Sequence, residues 1–249
     1  MIRKIYYTGS TRPKLKLEVM KEVRFFHTPT IKIIFDPPEL FGGIESHLAK
    51  SPLIVFQSKN GVRGFCSLLE NLGRSVKIES ESIWAVGTST AREVRTSLHQ
   101  AVQQPDEQNV RGLIKAFIGL KKRPVLLITG HETRPEFVTW LRDNRWDVLQ
   151  IPVYKTEIFE NQELYQLFQN SNEEVVIFTS PSTVQGFLRS TCRDDLSGVV
   201  SLLVSIGPTT SAKIESCYGN VFYEAPEPNV SKIASAITSG LILPSKTVT

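Results

Sequence analysis

The feature that most constrains the fold is a segment of the sequence that occurs twice. Its copies are residues 55–65 (VFQSKNGVRGF) and residues 176–187 (VIFTSPSTVQGF). Phe56 and Phe178 lie 122 positions apart, and the same step relates the phenylalanines that end the two copies. Each copy begins as a short apolar run, passes through a turn of polar residues and continues with apolar residues at helical spacing. This pattern predicts a buried strand that leads directly into a helix.

Three further landmarks keep nearly the same spacing and the same order. They are residues 8–13 (TGSTRP) with 129–135 (TGHETRP), Pro29 with Pro152, and residues 86–90 (VGTST) with 206–210 (IGPTT). Four matching landmarks in one order indicate a tandem duplication. Because there are only two copies, the sequence predicts two similar lobes and not a solenoid.

Composition and charge narrow the class of protein. At 249 residues, the chain is long enough for two lobes that each bury a core. Its net charge of +4 is too small to indicate a nucleic-acid partner, although it suits a small polyanionic ligand. Cys66, Cys192 and Cys217 form no CxxC pair, so we expect a reducing cytoplasm and neither disulfides nor zinc. The sequence has no apolar run of membrane-spanning length and no signal peptide, so we expect no membrane partner.

Short apolar runs alternate with amphipathic segments along the chain. One such segment predicts a helix over Thr90–Val102, and a weaker, Lys-rich pattern predicts a helix over Leu15–Phe25. Alternating strands and helices predict an α/β fold in each lobe, with a parallel sheet covered by helices on both faces.

Polar turns follow several predicted strands, at the edge of a parallel sheet where ligands usually bind. They are Ser58–Asn60, Thr88–Thr90, Ser180–Ser182 and Thr209–Thr210. Each turn starts a helix, whose first N–H groups lack partners and favour an anion. Two lobes that present such edges to each other would form a cleft lined with donors. The simpler interpretation of the turn at Ser180–Ser182 is that Ser180 or Ser182 only caps its helix.

Several motifs are missing from the sequence. It has no GxGxxG after the first strand, no P-loop and no GxSxG, so nucleotide cofactors and a serine nucleophile lack support. The four histidines are scattered without metal-ligand spacing. We therefore expect neither a cofactor nor a metal.

An ordered set of short motifs resembles the uroporphyrinogen-III synthase family, from about Ile5 to Ile237. The motifs are residues 56–62 (FQSKNGV), 85–87 (AVG), 152–156 (PVYKT), 178–182 (FTSPS) and 206–210 (IGPTT). The resemblance implies two α/β lobes joined by two extended linkers. Carried over, residues 36–149 form an inserted lobe, and residues 1–31 pack with residues 157–249. Residues 32–35 and 150–156 would be the linkers. From the residues alone, a division near Arg123 is equally admissible.

The resemblance also implies a reaction, namely the cofactor-free closure of hydroxymethylbilane to uroporphyrinogen III with inversion of the last pyrrole ring. Tyr154 would donate a proton to the leaving hydroxyl, although an aromatic side chain also packs well on an extended segment. The expected substrate-binding residues are Ser58, Lys59, Asn60, Thr88, Thr90, Ser180, Pro181, Ser182, Thr209 and Thr210. We expect a cytoplasmic monomer that acts in heme biosynthesis.

Two departures from the family pattern affect the expected site. Gln57 replaces a small hydroxyl residue, and the stretch from Pro13 to Pro29 is short for the family's first helix. Two other functions stay open. One is a non-catalytic two-lobed sensor of a tetrapyrrole or another organic polyanion, and the other is a doubly wound nucleotide enzyme.

Overall fold

The computed structural model describes residues 3–13, 23–35, 41–71, 82–168, 174–199 and 201–242. Within these ranges strands and helices alternate and form two five-stranded sheets. In chain order the elements are β1 (Arg3–Tyr7), β2 (Val23–His27), β3 (Ile31–Ile34), α1 (Phe41–Leu48), β4 (Leu53–Phe56), α2 (Lys59–Asn71), β5 (Ile83–Ala85), α3 (Thr88–Ser97), α4 (Val110–Ile118), β6 (Val125–Gly130), α5 (Glu136–Asp143), β7 (Val148–Ile158), α6 (Gln162–Phe168), β8 (Glu174–Phe178), α7 (Pro181–Ser190), β9 (Leu202–Ser205), α8 (Pro208–Ser216), β10 (Val221–Glu224) and α9 (Val230–Thr238). None of the described helices is both long and apolar enough to cross a membrane.

The chain divides into two compact units. Unit 1 comes from residues 1–32 and 157–249, and unit 2 comes from residues 33–156. The two segments that the sequence analysis treated as linkers, 32–35 and 150–156, lie largely within β3 and β7, which are neighbours in one sheet.

Unit 1 contains a sheet with the strand order β10-β9-β8-β1-β2. Its four strand pairs are all parallel. Successive side chains of a strand point to opposite faces, so both faces of β8 can be buried. Val175 and Ile177 pack in a cluster with residues of α9, whereas Val176 and Phe178 pack in a cluster with residues of α6, α7 and α8. Helices therefore cover both faces of this sheet.

Unit 2 contains a sheet with the strand order β3-β7-β6-β4-β5. The pairs β4–β5, β4–β6 and β6–β7 are parallel. On one face, Ile54 and Phe56 of β4 pack with α2 and α3. On the other face, Leu53 and Val55 pack with α4 and α5. The described parts of both units confirm the predicted α/β fold with parallel sheets covered by helices.

Matching glycines of the repeat bring a helix close to a segment of the other repeat in each unit. A Cβ atom at Gly64 would lie 2.6 Å from Val153 Cγ2, and a Cβ atom at Gly186 would lie 2.6 Å from Thr30 Cβ. Val153 and Thr30 also occupy matching positions, 123 residues apart. In each contact the glycine comes from one repeat and the residue that it faces comes from the other. Both units therefore combine parts of both repeats.

Two of the predicted helices differ from the observed elements. Residues 15–22 of the predicted Leu15–Phe25 helix lie outside the described residues, but Val23–His27 is a strand, so the prediction was wrong there. Helix α3 ends at Ser97 and not at Val102. His99 adopts a left-handed backbone with φ of 53°, and Gln103 then donates its N–H to Ile83 O at 2.8 Å. The segment after Ser97, which the sequence pattern predicted as helix, therefore leads to the edge of the sheet beside β5.

Helix α1 was not predicted from the sequence. Its sequence begins with Phe41, Gly42 and Gly43. Glycine is unfavourable in a helix because it loses the most backbone freedom on folding. Ile44 is nevertheless fully buried in the apolar cluster of unit 2. Tertiary packing therefore compensates for the poor helix propensity of this segment.

Candidate functional site

Tyr154 lies on β7 in unit 2, opposite the carboxyl end of β6. It is aligned with Gly130, at a point where the β6–β7 register shifts. The Tyr154 ring lies directly against Gly130, because a Cβ atom there would be 2.6 Å from the ring carbon Cζ. The carbonyl oxygen of Tyr154 also accepts a hydrogen bond from the backbone N–H of His131 at 2.9 Å. The absence of a side chain at Gly130 therefore determines where this ring can lie.

The hydroxyl group of Tyr154 belongs to a short chain of hydrogen bonds. Its oxygen lies 3.0 Å from Ser58 Oγ. Ser58 Oγ in turn accepts a hydrogen bond from the backbone N–H of Gly61, also at 3.0 Å. Since α2 begins at Lys59, Ser58 occupies the N-cap position and satisfies one of the helix's unpaired donors. The phenol of Tyr154 is thus linked through Ser58 to the first turn of α2.

The surroundings of Tyr154 keep its hydroxyl protonated at neutral pH. Burial of the half-buried side chain raises the pKa of Tyr154, because the phenolate form loses its hydration. The hydrogen bond from Ser58 acts in the opposite direction, and the negative charge of Glu132 raises the pKa further. Glu132 Oε2 accepts a long hydrogen bond of 3.5 Å from the backbone N–H of Thr156. The net effect is a phenol that can donate a proton and is not already ionised.

Other residues of the first turn of α2 differ in exposure. Lys59 is exposed and Asn60 is half-buried, so both side chains are accessible at the end of β4. Gln57, which departs from the family pattern, is half-buried, and its Oε1 atom has no hydrogen-bond partner among the described residues. Lys59 adds a positive charge beside the helix N-terminus, where an anion is already favoured.

The predicted donors at the start of α3 are partly occupied. The side-chain oxygen of Gln108 accepts hydrogen bonds from both the backbone N–H and the hydroxyl of Thr88, each at 2.9 Å. Thr90 is only 3% exposed. Sequence reasoning missed Gln108, which lies 20 positions after Thr88 and carries no local signal of this contact.

In unit 1, the turn after β8 is a complete helix cap. Ser180 Oγ accepts the backbone N–H of Thr183 at 3.3 Å, and the hydroxyl oxygen of Thr183 accepts the backbone N–H of Ser180 at 3.2 Å. Pro181 is the first residue of α7, where its missing N–H costs nothing. Pro181 and Ser182 are both half-buried. The hydroxyl of Ser180 therefore caps α7, as the simpler interpretation predicted.

The turn after β9 is held by a polar network that runs from the buried Ser205 to the exposed Glu224. Ser205 Oγ lies 2.6 Å from Ser211 Oγ, and the hydroxyl of Ser211 donates to the carboxylate of Glu224. Thr209 is exposed at the start of α8, whereas Thr210 is only 3% exposed. Sequence reasoning missed this network, since its members lie on β9, α8 and β10.

The described structure brings the predicted residues together within each unit. In unit 2, Ser58 and Thr88 follow the paired parallel strands β4 and β5, and Tyr154 contacts Ser58 directly. In unit 1, Ser180 and Thr209 follow the paired parallel strands β8 and β9. Neighbouring turns at one sheet edge present N–H and O–H donors, which suits a ligand with several carboxylates. Among the described residues, no group of three or more His, Cys, Asp or Glu side chains could hold a metal ion.

Comparisons with known proteins bear on the fold and on the family of the chain. A search of curated protein sequences found no match. Among solved structures, uroporphyrinogen-III synthetase from Helicobacter pylori is similar with a TM-score of 0.67 and 22% identity, over 96% of this chain and 99% of that chain. A mutant uroporphyrinogen III synthase from the extremely thermophilic bacterium Thermus thermophilus is similar with a TM-score of 0.63 and 13% identity, over 96% and 98% of the two chains.

At these identities the solved structures establish the fold alone. The family model described as uroporphyrinogen-III synthase HemD matches residues 21–235, which is most of the chain. It covers the polar turns of both units and Tyr154. The chain therefore belongs to the uroporphyrinogen-III synthase family.

Proposed function

We propose that Tyr154 is the general acid with which this chain cyclises hydroxymethylbilane to uroporphyrinogen III. Membership of the family gives the chain a cyclase activity in tetrapyrrole biosynthesis, with a small-molecule tetrapyrrole as substrate. The residue roles are what we add. These roles rest on the hydrogen bond between Tyr154 and Ser58, whose hydroxyl oxygens lie 3.0 Å apart.

The proposed first step breaks the bond between carbon and oxygen in the substrate's hydroxymethyl group. The electron pair of that bond leaves with the oxygen, which takes the Tyr154 proton and departs as water. The substrate is left as a cation, and Tyr154 as a phenolate. A carbon of the last pyrrole ring then attacks the cation, and the ring inverts through a spiro intermediate. A proton finally lost from the new ring system restores Tyr154, so the net products are uroporphyrinogen III and water.

The protonation state of Tyr154 supports this role. A general acid must hold its proton until the leaving group needs it, and burial raises the pKa of Tyr154 above its ordinary value. Ser58 can donate its own O–H to the phenolate oxygen that forms, which stabilises the charge as it develops. Burial therefore keeps the proton on Tyr154 before the step, and the hydrogen bond from Ser58 favours the phenolate during it.

We further propose that the polar turns hold the substrate's carboxylates. Thr209 and Lys59 are exposed and can contact a carboxylate through their side chains. Thr90 is buried, so in this proposal it contributes a backbone N–H group of the first turn of α3. The backbone N–H of Thr210 donates to Gly207 O at 2.9 Å, so Thr210 would hold the turn that presents Thr209. Asn60, Thr88, Ser180, Pro181 and Ser182 complete the proposed binding set. Holding one folded conformer of a flexible substrate is itself a large part of such catalysis.

We also propose that the protein acts as a monomer in the cytoplasm, without a nucleic-acid or membrane partner. The small net charge of +4 supports the proposed lack of a nucleic-acid partner. The lobe assignment, with residues 36–149 inserted between the two parts of the other lobe, remains a proposal as well.

Incubation of the protein with hydroxymethylbilane tests the proposed activity. Without an enzyme, the substrate closes without ring inversion and gives the type I isomer. We expect mostly type III product from this chain. A tetrapyrrole sensor would bind the substrate and leave mostly type I, and a nucleotide enzyme would not bind it. The Tyr154→Phe variant keeps the ring and removes the hydroxyl, so it should still give type III at a rate lowered roughly tenfold to a hundredfold. Full activity of that variant would exclude Tyr154 as the acid.

A further inference from the structure

Ser58 has little hydrogen-bonding capacity left for a substrate. A serine hydroxyl offers one O–H donor and two acceptor positions. Gly61 N–H occupies one acceptor position at 3.0 Å, and the hydroxyl of Tyr154 occupies a second position at 3.0 Å. Both partners belong to the protein, although Ser58 lies in a turn that the sequence pattern assigned to substrate binding.

The hydrogen bond from Gly61 also influences the direction of the bond between the two hydroxyls. When Ser58 accepts a proton from Tyr154, the phenolic O–H points at Ser58 and is unavailable to the substrate. When Ser58 donates, the phenolic O–H is free to point at the leaving group. The Gly61 N–H and the positive end of α2 draw electron density from Ser58 Oγ, which makes Ser58 a better donor. The second arrangement is therefore the favoured one.

The packing of α2 against β7 fixes the separation of these two hydroxyls. Gly64, on the second turn of α2, lies so close to Val153 that a Cβ atom would approach Val153 Cγ2 to 2.6 Å. Val153 is the residue before Tyr154 and is almost fully buried. The helix that Ser58 caps and the strand that carries Tyr154 are thus in direct backbone contact one turn away.

From these contacts we infer that Ser58 is a positioning residue, whose hydroxyl directs the phenolic proton of Tyr154 toward the leaving group and does not bind the substrate. This inference rests on the proposed role of Tyr154 as the general acid. It replaces the expectation, drawn from the sequence pattern, that Ser58 binds the substrate.

The second repeat supplies an internal control for this inference. Ser180 matches Ser58 in the repeat and also caps its helix, through the N–H of Thr183. The position that matches Tyr154 is Ile31, which is buried and has no hydroxyl. Ser58 and Ser180 thus share the capping role, and only Ser58 contacts a phenol. A substitution of each serine separates capping from positioning.

A double-mutant cycle in the full chain tests the inference. Ser58→Ala should lower kcat about tenfold, the effect of one lost hydrogen bond in the transition state, with KM changed less than about twofold. In the Tyr154→Phe background, Ser58→Ala should change kcat less than about twofold, because the proton that it directs is gone. Ser180→Ala should instead act mainly on KM, and equally in both backgrounds. The inference is overturned if Ser58→Ala lowers kcat equally in both backgrounds, or if it raises KM severalfold.

A spectroscopic measurement tests the pair without turnover. Tyrosine labelled with ¹³C at Cζ reports ionisation by NMR, and the Tyr154 signal is the one missing from Tyr154→Phe. Ser58→Ala should raise the pKa of Tyr154, since the hydrogen bond from Ser58 lowers it. Glu132→Gln should move it the other way, because the Glu132 charge raises it. Ser58→Thr, which retains a hydroxyl, should restore both the pKa and kcat.

The two assignments fail in distinguishable ways. An unchanged pKa of Tyr154 in Ser58→Ala would refute the positioning role, whatever the activity of that variant. Full activity of Tyr154→Phe would refute the general acid itself, and with it the catalytic meaning of Ser58. A loss of kcat in Ser58→Ala that Ser58→Thr does not restore would show that the serine acts on the fold of α2 and not on Tyr154.

Discussion

Replacing Gly130 with alanine would displace the Tyr154 ring without removing its hydroxyl. A Cβ atom at Gly130 would lie 2.6 Å from Tyr154 Cζ and 3.0 Å from its hydroxyl oxygen. Carbon atoms in contact are about 3.5 Å apart, so the ring must move by roughly 1 Å. The clash involves the far end of a side chain and Gly130 is not in the left-handed backbone region, so the fold should tolerate alanine.

The catalytic consequence should be much larger than the effect on stability. A shift of roughly 1 Å would lengthen the 3.0 Å contact with Ser58 beyond hydrogen-bond range. A misplacement of this size can cost on the order of a hundredfold in rate. We therefore expect Gly130→Ala to lower kcat by roughly that factor, with a thermal midpoint within a few degrees of the wild type.

Gly9→Ala is a matched control from the other repeat. A Cβ atom at Gly9 would lie 2.7 Å from Cε1 of Tyr7, so it creates the same clash between an alanine and a tyrosine ring. Tyr7 is only 5% exposed and has less room to move. Gly9→Ala should thus lower the thermal midpoint more than Gly130→Ala and lower kcat less.

Steady-state kinetics on hydroxymethylbilane rank the two variants by kcat. Differential scanning fluorimetry ranks them by thermal midpoint. A Gly130→Ala variant with wild-type kcat would refute the claim that the position of the Tyr154 hydroxyl matters. The same conclusion would follow if kcat fell only in proportion to the unfolded fraction.

Three further predictions follow from the contacts. Gln108→Ala should lower KM severalfold, because it frees both donors of Thr88 for a substrate carboxylate; a raised KM in the same kinetics would show that Gln108 supports binding. Burial raises the pKa of Tyr7 to about 12, so the folded state favours the neutral phenol and stability should fall as pH rises from about 10 to about 12. Unfolding curves recorded over this alkaline range should show a smaller fall in stability for Tyr7→Phe. An isolated 33–156 fragment should unfold cooperatively by circular dichroism, whereas fragments cut at Arg123 should not, since each sheet would lose strands; cooperative unfolding of the two Arg123 fragments would contradict the lobe assignment.

Much of the fold could be predicted from the sequence because its signals are local. The apolar run of β8, fully buried on both faces, and the following cap at Ser180 lie within a few residues of each other. Because the repeat presents this strand and cap twice, each copy supports the prediction made from the other. Two helix predictions were wrong at places where a partner distant in the sequence determines the conformation. Val23–His27 pairs as a strand with β1, and the chain after Ser97 turns to pair Gln103 with β5.

The candidate site was less predictable than the fold because its decisive contacts are not local. The repeat treats Ser58 and Ser180 alike, and nothing near Ser58 in the sequence indicates a phenol 96 positions later. A signal was nevertheless present in the alignment of the two repeats. Tyr154 matches Ile31, so the copies differ in chemistry at the position whose side chain contacts Ser58. Differences between the copies, and not only their similarities, therefore carry information about function.

The exchange of strands between the repeats has a consequence for the order in which the protein folds during synthesis. All five strands of the unit 2 sheet have been translated by Ile158, whereas β1 and β2 of unit 1 wait for β8 and β9, which end at Ser205. At roughly 5–20 residues per second, that further stretch takes a few seconds to emerge. During this interval the edge of β1 has no β8 to pair with, and unpaired edges invite aggregation. A nascent chain stalled between these two points should bind chaperones through β1 and β2 while unit 2 is already protected from proteases.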